Sequence, residues 1–69
     1  MTEHEAVAQV IEAAGFNAMA REYLERPDYR QRIVTAMARN IGRDRNLGKE
    51  KARQFAVLAA KANGWRIWV

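Results

Sequence analysis

Four stretches of this chain carry apolar residues at the three- and four-residue spacing that lines one side of an α-helix, and each closes at a glycine or a proline. In the first, Val7, Val10, Ile11 and Ala14 share a face, while Glu3, Gln9 and Glu12 fall outside it. Thr2-Glu3-His4-Glu5 has the form of a capping box, in which the Thr2 hydroxyl accepts from the Glu5 amide and the Glu5 side chain reaches back. Gly15 supplies the left-handed residue that ends many helices, so the first helix is expected over 3–14. Asn17 is expected to cap a second helix, with Met19, Tyr23 and Leu24 on its apolar side and Arg21–Glu25 and Glu22–Arg26 as surface pairs. Pro27 disfavours a helical Arg26 and ends that piece. Asp28 is the expected cap of a third helix, with Gln31 at the reciprocal position and Ile33, Met37 and Ile41 repeating every four residues until Gly42 stops it. Gly42 to Gly48 reads as a polar connector. Ala52, Phe55, Leu58, Ala59 and Ala62 then mark a fourth helix over 48–62, ended by Asn63-Gly64. The remaining Trp65-Arg66-Ile67-Trp68-Val69 is β-branched and aromatic and reads as an extended tail.

The pattern predicts an all-α fold: a compact bundle of four short helices with an extended apolar C-terminal tail, forming a single domain over 1–69. A chain this short buries only about 60% of the surface its unfolded form exposes. It has no cysteine, so neither a disulfide nor a thiolate metal site can supplement the core, and a homodimer is one way to enlarge it. No apolar run approaches the ~18 residues of a spanning helix, and the chain opens Met1-Thr2-Glu3-His4-Glu5 where a signal peptide would be basic. A cytoplasmic protein without membrane association is expected.

Catalytic chemistry finds little support in these residues. His4 is the only histidine, and in the first turn of the first helix it reads as an exposed bystander. With carboxylates scattered and cysteine absent, no metal-ligand spacing stands out, and no cofactor is expected. Thr2 and Thr35 are the only hydroxyl nucleophiles apart from tyrosine, and neither has a histidine placed to activate it. Gly42 to Glu50, G-R-D-R-N-L-G-K-E, superficially resembles a phosphate-binding loop. Its glycines stand one residue too far apart, Glu50 replaces the magnesium-holding hydroxyl, and a helix precedes it where that loop needs a strand. A non-enzymatic, binding function is the expectation.

Two surfaces are candidates for that binding. The tail places Trp65, Ile67 and Val69 on one side of a strand and Arg66 and Trp68 on the other, and two tryptophans in five residues are costly to leave wet. Trp65, Arg66 and Trp68, with Tyr23 and Tyr29 at the corner between helices two and three, form the expected contact with a protein partner. On this leading reading the chain is a small regulator or inhibitor of a larger protein, of the kind phages and mobile elements direct at host machinery. The tail can equally fold back and close the core. The alternative is a DNA- or RNA-binding regulator. Arg39, Arg43, Arg45, Lys49, Lys51 and Arg53 gather around one helix-loop-helix junction, opposed only by Asp44 and Glu50, and Asn40 and Asn46 can bond a phosphate or a base edge. The whole-chain charge of +4 favours an anionic partner only mildly. A helix-turn-helix variant would lay helix three across the backbone and put helix four in the major groove. Its six- or seven-residue connector is longer than the usual three- or four-residue turn.

Overall fold

The computed structural model describes residues 1–66, arranged as four α-helices and one 3₁₀ turn: α1 (Glu3–Ala13), α2 (Asn17–Glu25), the turn Pro27–Tyr29, α3 (Arg30–Arg43) and α4 (Gly48–Asn63). The all-α class expected from the spacing is what the chain adopts, and among the described residues there is no strand. Ile67, Trp68 and Val69, the outer part of the expected extended tail, lie outside the described residues. No helix is long and apolar enough to cross a membrane. The radius of gyration, 10.9 Å, is close to the ~11 Å expected when a chain of this length closes around one core.

The ends of α1 form as the local sequence dictates. The Thr2 hydroxyl accepts from the Glu5 amide at 3.1 Å, and the Thr2 amide donates to Glu5 Oε1 at 2.9 Å, completing the capping box. At the other end Gly15 takes φ 95°, which lets the Phe16 amide turn back to the Ile11 carbonyl at 3.2 Å and the Gly15 amide to Glu12 at 2.9 Å. This doubly bonded glycine close swings the chain sharply into α2. Asn17 is not the cap expected of it. Phe16 occupies that position without a side-chain bond, because the turn out of α1 has already set the backbone, and Asn17 is the first helical residue.

Two further local expectations yield to neighbouring geometry. Pro27 opens a 3₁₀ turn at once, so Asp28 sits inside that turn rather than in the extended conformation a cap requires; Tyr29 precedes α3, with no side-chain cap. Arg26 has the extended backbone (φ −125°, ψ 83°) that a following proline enforces. Gly42 does not stop α3, which continues to Arg43 and ends at an extended Asp44. Asp44 Oδ1 accepts from the amides of Asn46 (2.7 Å) and Leu47 (3.2 Å), and its carbonyl accepts from Gly48 at 2.8 Å. Asp44 therefore satisfies amides that approach α4 from its N-terminal side, a role the sequence reading did not assign to it.

The core draws Val7, Ala8 and Ile11 from α1, Ala20 and Tyr23 from α2, Ile33, Val34, Met37 and Ile41 from α3, and Phe55, Ala59 and Ala60 from α4. The alanines let α4 approach α3 and α1 closely, and α3 against α4 is the most extensive packing in the molecule. Leu24, expected on the apolar side of α2, is 41% exposed, because α2 turns Tyr23 and Ala20 inward instead. Of the two expected surface pairs in α2 only Glu22–Arg26 closes, at 3.7 Å, and both side chains are wet enough that it contributes little.

Candidate nucleic-acid interface

The outward side of α3 carries exposed arginines near both of its ends and no carboxylate. Between Arg30 and Arg43 the sequence contains four arginines and no carboxylate. At 3.6 residues per turn, Arg32, Arg39 and Arg43 fall within about 40° of one another, opposite the buried Ile33, Val34, Met37 and Ile41. All three arginines are exposed, and Gln31, Thr35, Ala36 and Asn40 flank them, also exposed. Arg32 leans over the Tyr29 ring at 5.9 Å, which holds its stem at the start of the stripe. Asn40 donates Nδ2 to the Ala36 carbonyl at 3.0 Å, an i−4 bond that presents its amide oxygen outward. Thr35 is anchored the same way, its hydroxyl donating to the Gln31 carbonyl at 2.9 Å. Arginine, glutamine, asparagine and threonine beside a small alanine are the side-chain types that read base edges and thymine methyls.

Arg39, Asn40, Arg43, Arg45, Asn46, Lys49 and Arg53, the residues expected to meet nucleic acid, are all exposed. Among the described residues the one ion pair is Glu22–Arg26, so no carboxylate of those residues pairs directly with a cation of the junction. Asp44, its nearest acid in sequence, is occupied by the Asn46 and Leu47 amides. Because α3 reaches Arg43, the connector is Asp44–Leu47, four residues, which removes the length objection to a helix-turn-helix arrangement. Lys51 does not join this surface. It lines a groove between α4 and α1, on the flank of α4 away from the stripe.

The residues expected to meet a protein partner are not assembled into one patch. Tyr23 is fully buried and cannot be a surface contact, correcting its place in that set. Its hydroxyl accepts from Asn63 Nδ2 at 2.9 Å and lies 3.0 Å from His4 Nδ1. Arg30 donates to the Tyr23 carbonyl at 2.8 Å and the Leu24 carbonyl at 3.3 Å, a cation on the open C-terminal carbonyls of α2. Its Nη1 lies 3.3 Å from His4 Nε2; a guanidinium only donates, so Nε2 accepts and the ring proton belongs on Nδ1, shared with Tyr23. His4 is thus half-buried and bonded at both nitrogens, not an exposed bystander, because α2 and α3 close over the first turn of α1. Tyr29 is half-buried beneath the Arg26 guanidinium at 4.0 Å.

Trp65 is drawn back toward the core. Gly64 takes φ 71°, and the Trp65 amide returns to the Ala60 carbonyl at 2.9 Å, which lays the half-buried indole against α3 and α4. There Trp65 and the exposed Arg66 share a groove of about 340 Å³ with Thr35 and Arg39. One residue of the nucleic-acid set therefore meets two of the protein-partner set. Trp68 lies outside the described residues.

A signal that sequence reasoning passed over is the segregation of charge. Residues 1–28 carry six carboxylates and two arginines, whereas residues 29–69 carry ten lysines and arginines and two carboxylates. The fold gives this division spatial meaning, since the second segment contains the packed α3–α4 pair. Among the described residues no three of His, Asp and Glu converge on a point that could hold a metal. No protein-family model, curated protein or solved structure matches the chain.

Proposed function

We propose that the protein is a non-catalytic nucleic-acid-binding regulator that lays the outer side of α3 against an anionic backbone, with Arg45, Lys49 and Arg53 of the connector and α4 as flanking phosphate contacts. The observation that carries this reading is the carboxylate-free α3 face, with Arg32, Arg39 and Arg43 on one exposed line and no ion pair to any of them among the described residues. It favours α3, not α4, as the element that approaches base edges, because the exposed side of α4 mixes Lys49, Lys51 and Arg53 with Glu50 and the 49%-exposed Val57. A cytoplasmic setting belongs to the same proposal. The reading of the chain as an inhibitor of a larger protein keeps the exposed Arg66 and the half-buried Tyr29 and Trp65 but not Tyr23, which is core.

The test is a fluorescence-anisotropy titration of labelled random duplex and single-stranded oligonucleotides at several salt concentrations, comparing the protein with its Arg39→Ala/Arg43→Ala variant. Each phosphate contact on duplex DNA contributes about 0.9 to the slope of log affinity against log salt, so the double variant is expected to lose about 1.8 from that slope as well as affinity. Lys51→Ala, on the other flank of α4, is expected to leave both nearly unchanged. Absence of binding at low salt, or equal slopes for protein and double variant, refutes the proposal.

A further inference from the structure

Away from the arginine stripe, α1, α3 and α4 leave an apolar trough between them. Val10, Ala14, Leu47 and Leu58 wall a space of about 330 Å³ over a floor of Ile41 and Phe55. A second hollow, about 240 Å³, shares Ala14, Ile41 and Leu47 with the first and carries the depression on to Arg43 and Asn40. The two adjoin along these three shared residues and are treated together as a channel. Along α4 its edge is Leu47, Lys51, Gln54 and Leu58, spaced four, three and four residues apart, which is one side of a helix about 16 Å long. That is the length over which a docked amphipathic helix presents apolar anchors from three successive turns.

The charges around the channel choose its occupant. Its walls carry two cations, Lys51 at mid-length and Arg43 at one end. Their one carboxylate, Asp44, spends Oδ1 on the Asn46 and Leu47 amides. An apolar floor under a cationic rim is complementary to a helix with large apolar anchors flanked by carboxylates. A second copy of this chain does not supply such a helix. Among the described residues the exposed large apolar side chains are Met1, Leu24 and Val57, on three separate segments, so no helix presents two on one face. We infer that the trough between α1, α3 and α4 docks an acidic amphipathic helix of a partner protein. The inference shares Arg43 with the nucleic-acid reading, but Lys51, Leu47 and Leu58, on which the docking of a helix chiefly rests, take no part in the stripe on α3.

The probe is a pair of synthetic helices of about sixteen residues, with leucines at i, i+4, i+7 and i+11 flanked in one by glutamates and in the other by lysines. Each is titrated into ¹⁵N-labelled full-length protein, and amide shifts are followed. The glutamate helix is expected to perturb Val10, Ala14, Leu47 and Leu58 and to bind at least about tenfold more tightly than the lysine helix. The exposed Lys51→Glu/Arg43→Glu variant, whose substitutions leave the core untouched, is expected to reverse that preference. Three results overturn the inference: no perturbation by either helix, equal affinity for both, or perturbations confined to Arg32, Arg39 and their neighbours. A fourth is concentration-dependent perturbation of the trough residues without peptide, which would make a second copy the occupant.

Discussion

Replacing Tyr23 by phenylalanine removes a single oxygen from the point where α1, α2 and α4 meet. The ring keeps its place among the core side chains, so no cavity of consequence opens. What is lost is the acceptor for Asn63 Nδ2 at 2.9 Å and the partner of His4 Nδ1 at 3.0 Å. Asn63 retains its bond to the Ala59 carbonyl at 2.8 Å, and His4 its contact with Arg30 at 3.3 Å, so each group loses one bond of two. A lost hydrogen bond costs about 1 kcal/mol net, and two are lost, which puts Tyr23→Phe at about 2 kcal/mol. At about 0.05–0.15 kcal/mol per residue, a chain of this size is stable by only about 3–10 kcal/mol in all. The melting temperature is expected to fall by about 8–16 °C, taking about 4–8 °C per kcal/mol for a small domain. Urea unfolding followed by far-UV circular dichroism measures the change directly. Tyr29→Phe is the control, because the Tyr29 hydroxyl makes no hydrogen bond among the described residues, and it is expected to stay within about 0.5 kcal/mol of the parent. A Tyr23→Phe loss no larger than that of Tyr29→Phe would refute the assignment of the hydroxyl as the junction of α1, α2 and α4. So would strict additivity of Tyr23→Phe with Asn63→Ala, since bonded partners must couple.

The glycines and the first turn of α1 give further expectations. Gly42→Ala is expected to stabilise the protein by about 0.5–1 kcal/mol, because Gly42 lies inside α3 and a new Cβ would stand 3.6 Å from Ala52 Cβ, ordinary contact. Gly64→Ala is expected to cost about 1–2 kcal/mol, since its φ of 71° is strained for any residue with a Cβ. Denaturation midpoints moving in the same direction for both would contradict the two backbone assignments. The Glu5 carboxyl is held below the usual glutamate range, first by the Thr2 amide and then by the Thr2 hydroxyl. Its folded value is therefore lower than its unfolded one. The stabilisation is complete above the unfolded value and disappears as pH falls through the folded one, so Glu5→Gln is expected to flatten the acid limb of the stability profile. An unchanged acid limb in Glu5→Gln, measured by thermal melts across the acidic range, would remove the capping box from the account.

Where an element depends on its own neighbours in the chain, reading the residues in order located it. Thr2, Glu5 and Gly15 bound α1 at both ends; the expected 3–14 and the observed Glu3–Ala13 differ by the residue at which the glycine close begins. Asn63-Gly64 likewise closes α4. Asn17, Asp28 and Gly42 were misplaced because each has a respectable local alternative that a neighbour overrules: the turn out of α1, the immediate 3₁₀ turn at Pro27, and the competing capping power of Asp44. The basic candidates Arg39, Arg43, Arg45, Lys49 and Arg53 were legible because only Asp44 and Glu50 oppose them in the sequence, and the fold leaves them exposed, without an ion pair among the described residues. The tyrosines and histidine were not legible, since their partners lie 19, 26 and 40 residues away.

The sequence by itself determined that this chain would be helical, where most of its helices begin and end, and that its cations would crowd into the second half. Those properties follow from backbone preference, capping and composition, which act within a few residues. Only the tertiary structure decided which of the aromatic and charged side chains are free to act. It took Tyr23, His4 and Arg30 into a joint between helices, drew Trp65 inward, and left Arg32, Arg39 and Arg43 in line on the open side of α3. The physical reason is that burial and hydrogen bonding between distant segments depend on how helices pack, and packing brings together residues whose separation along the chain carries no signal of their meeting.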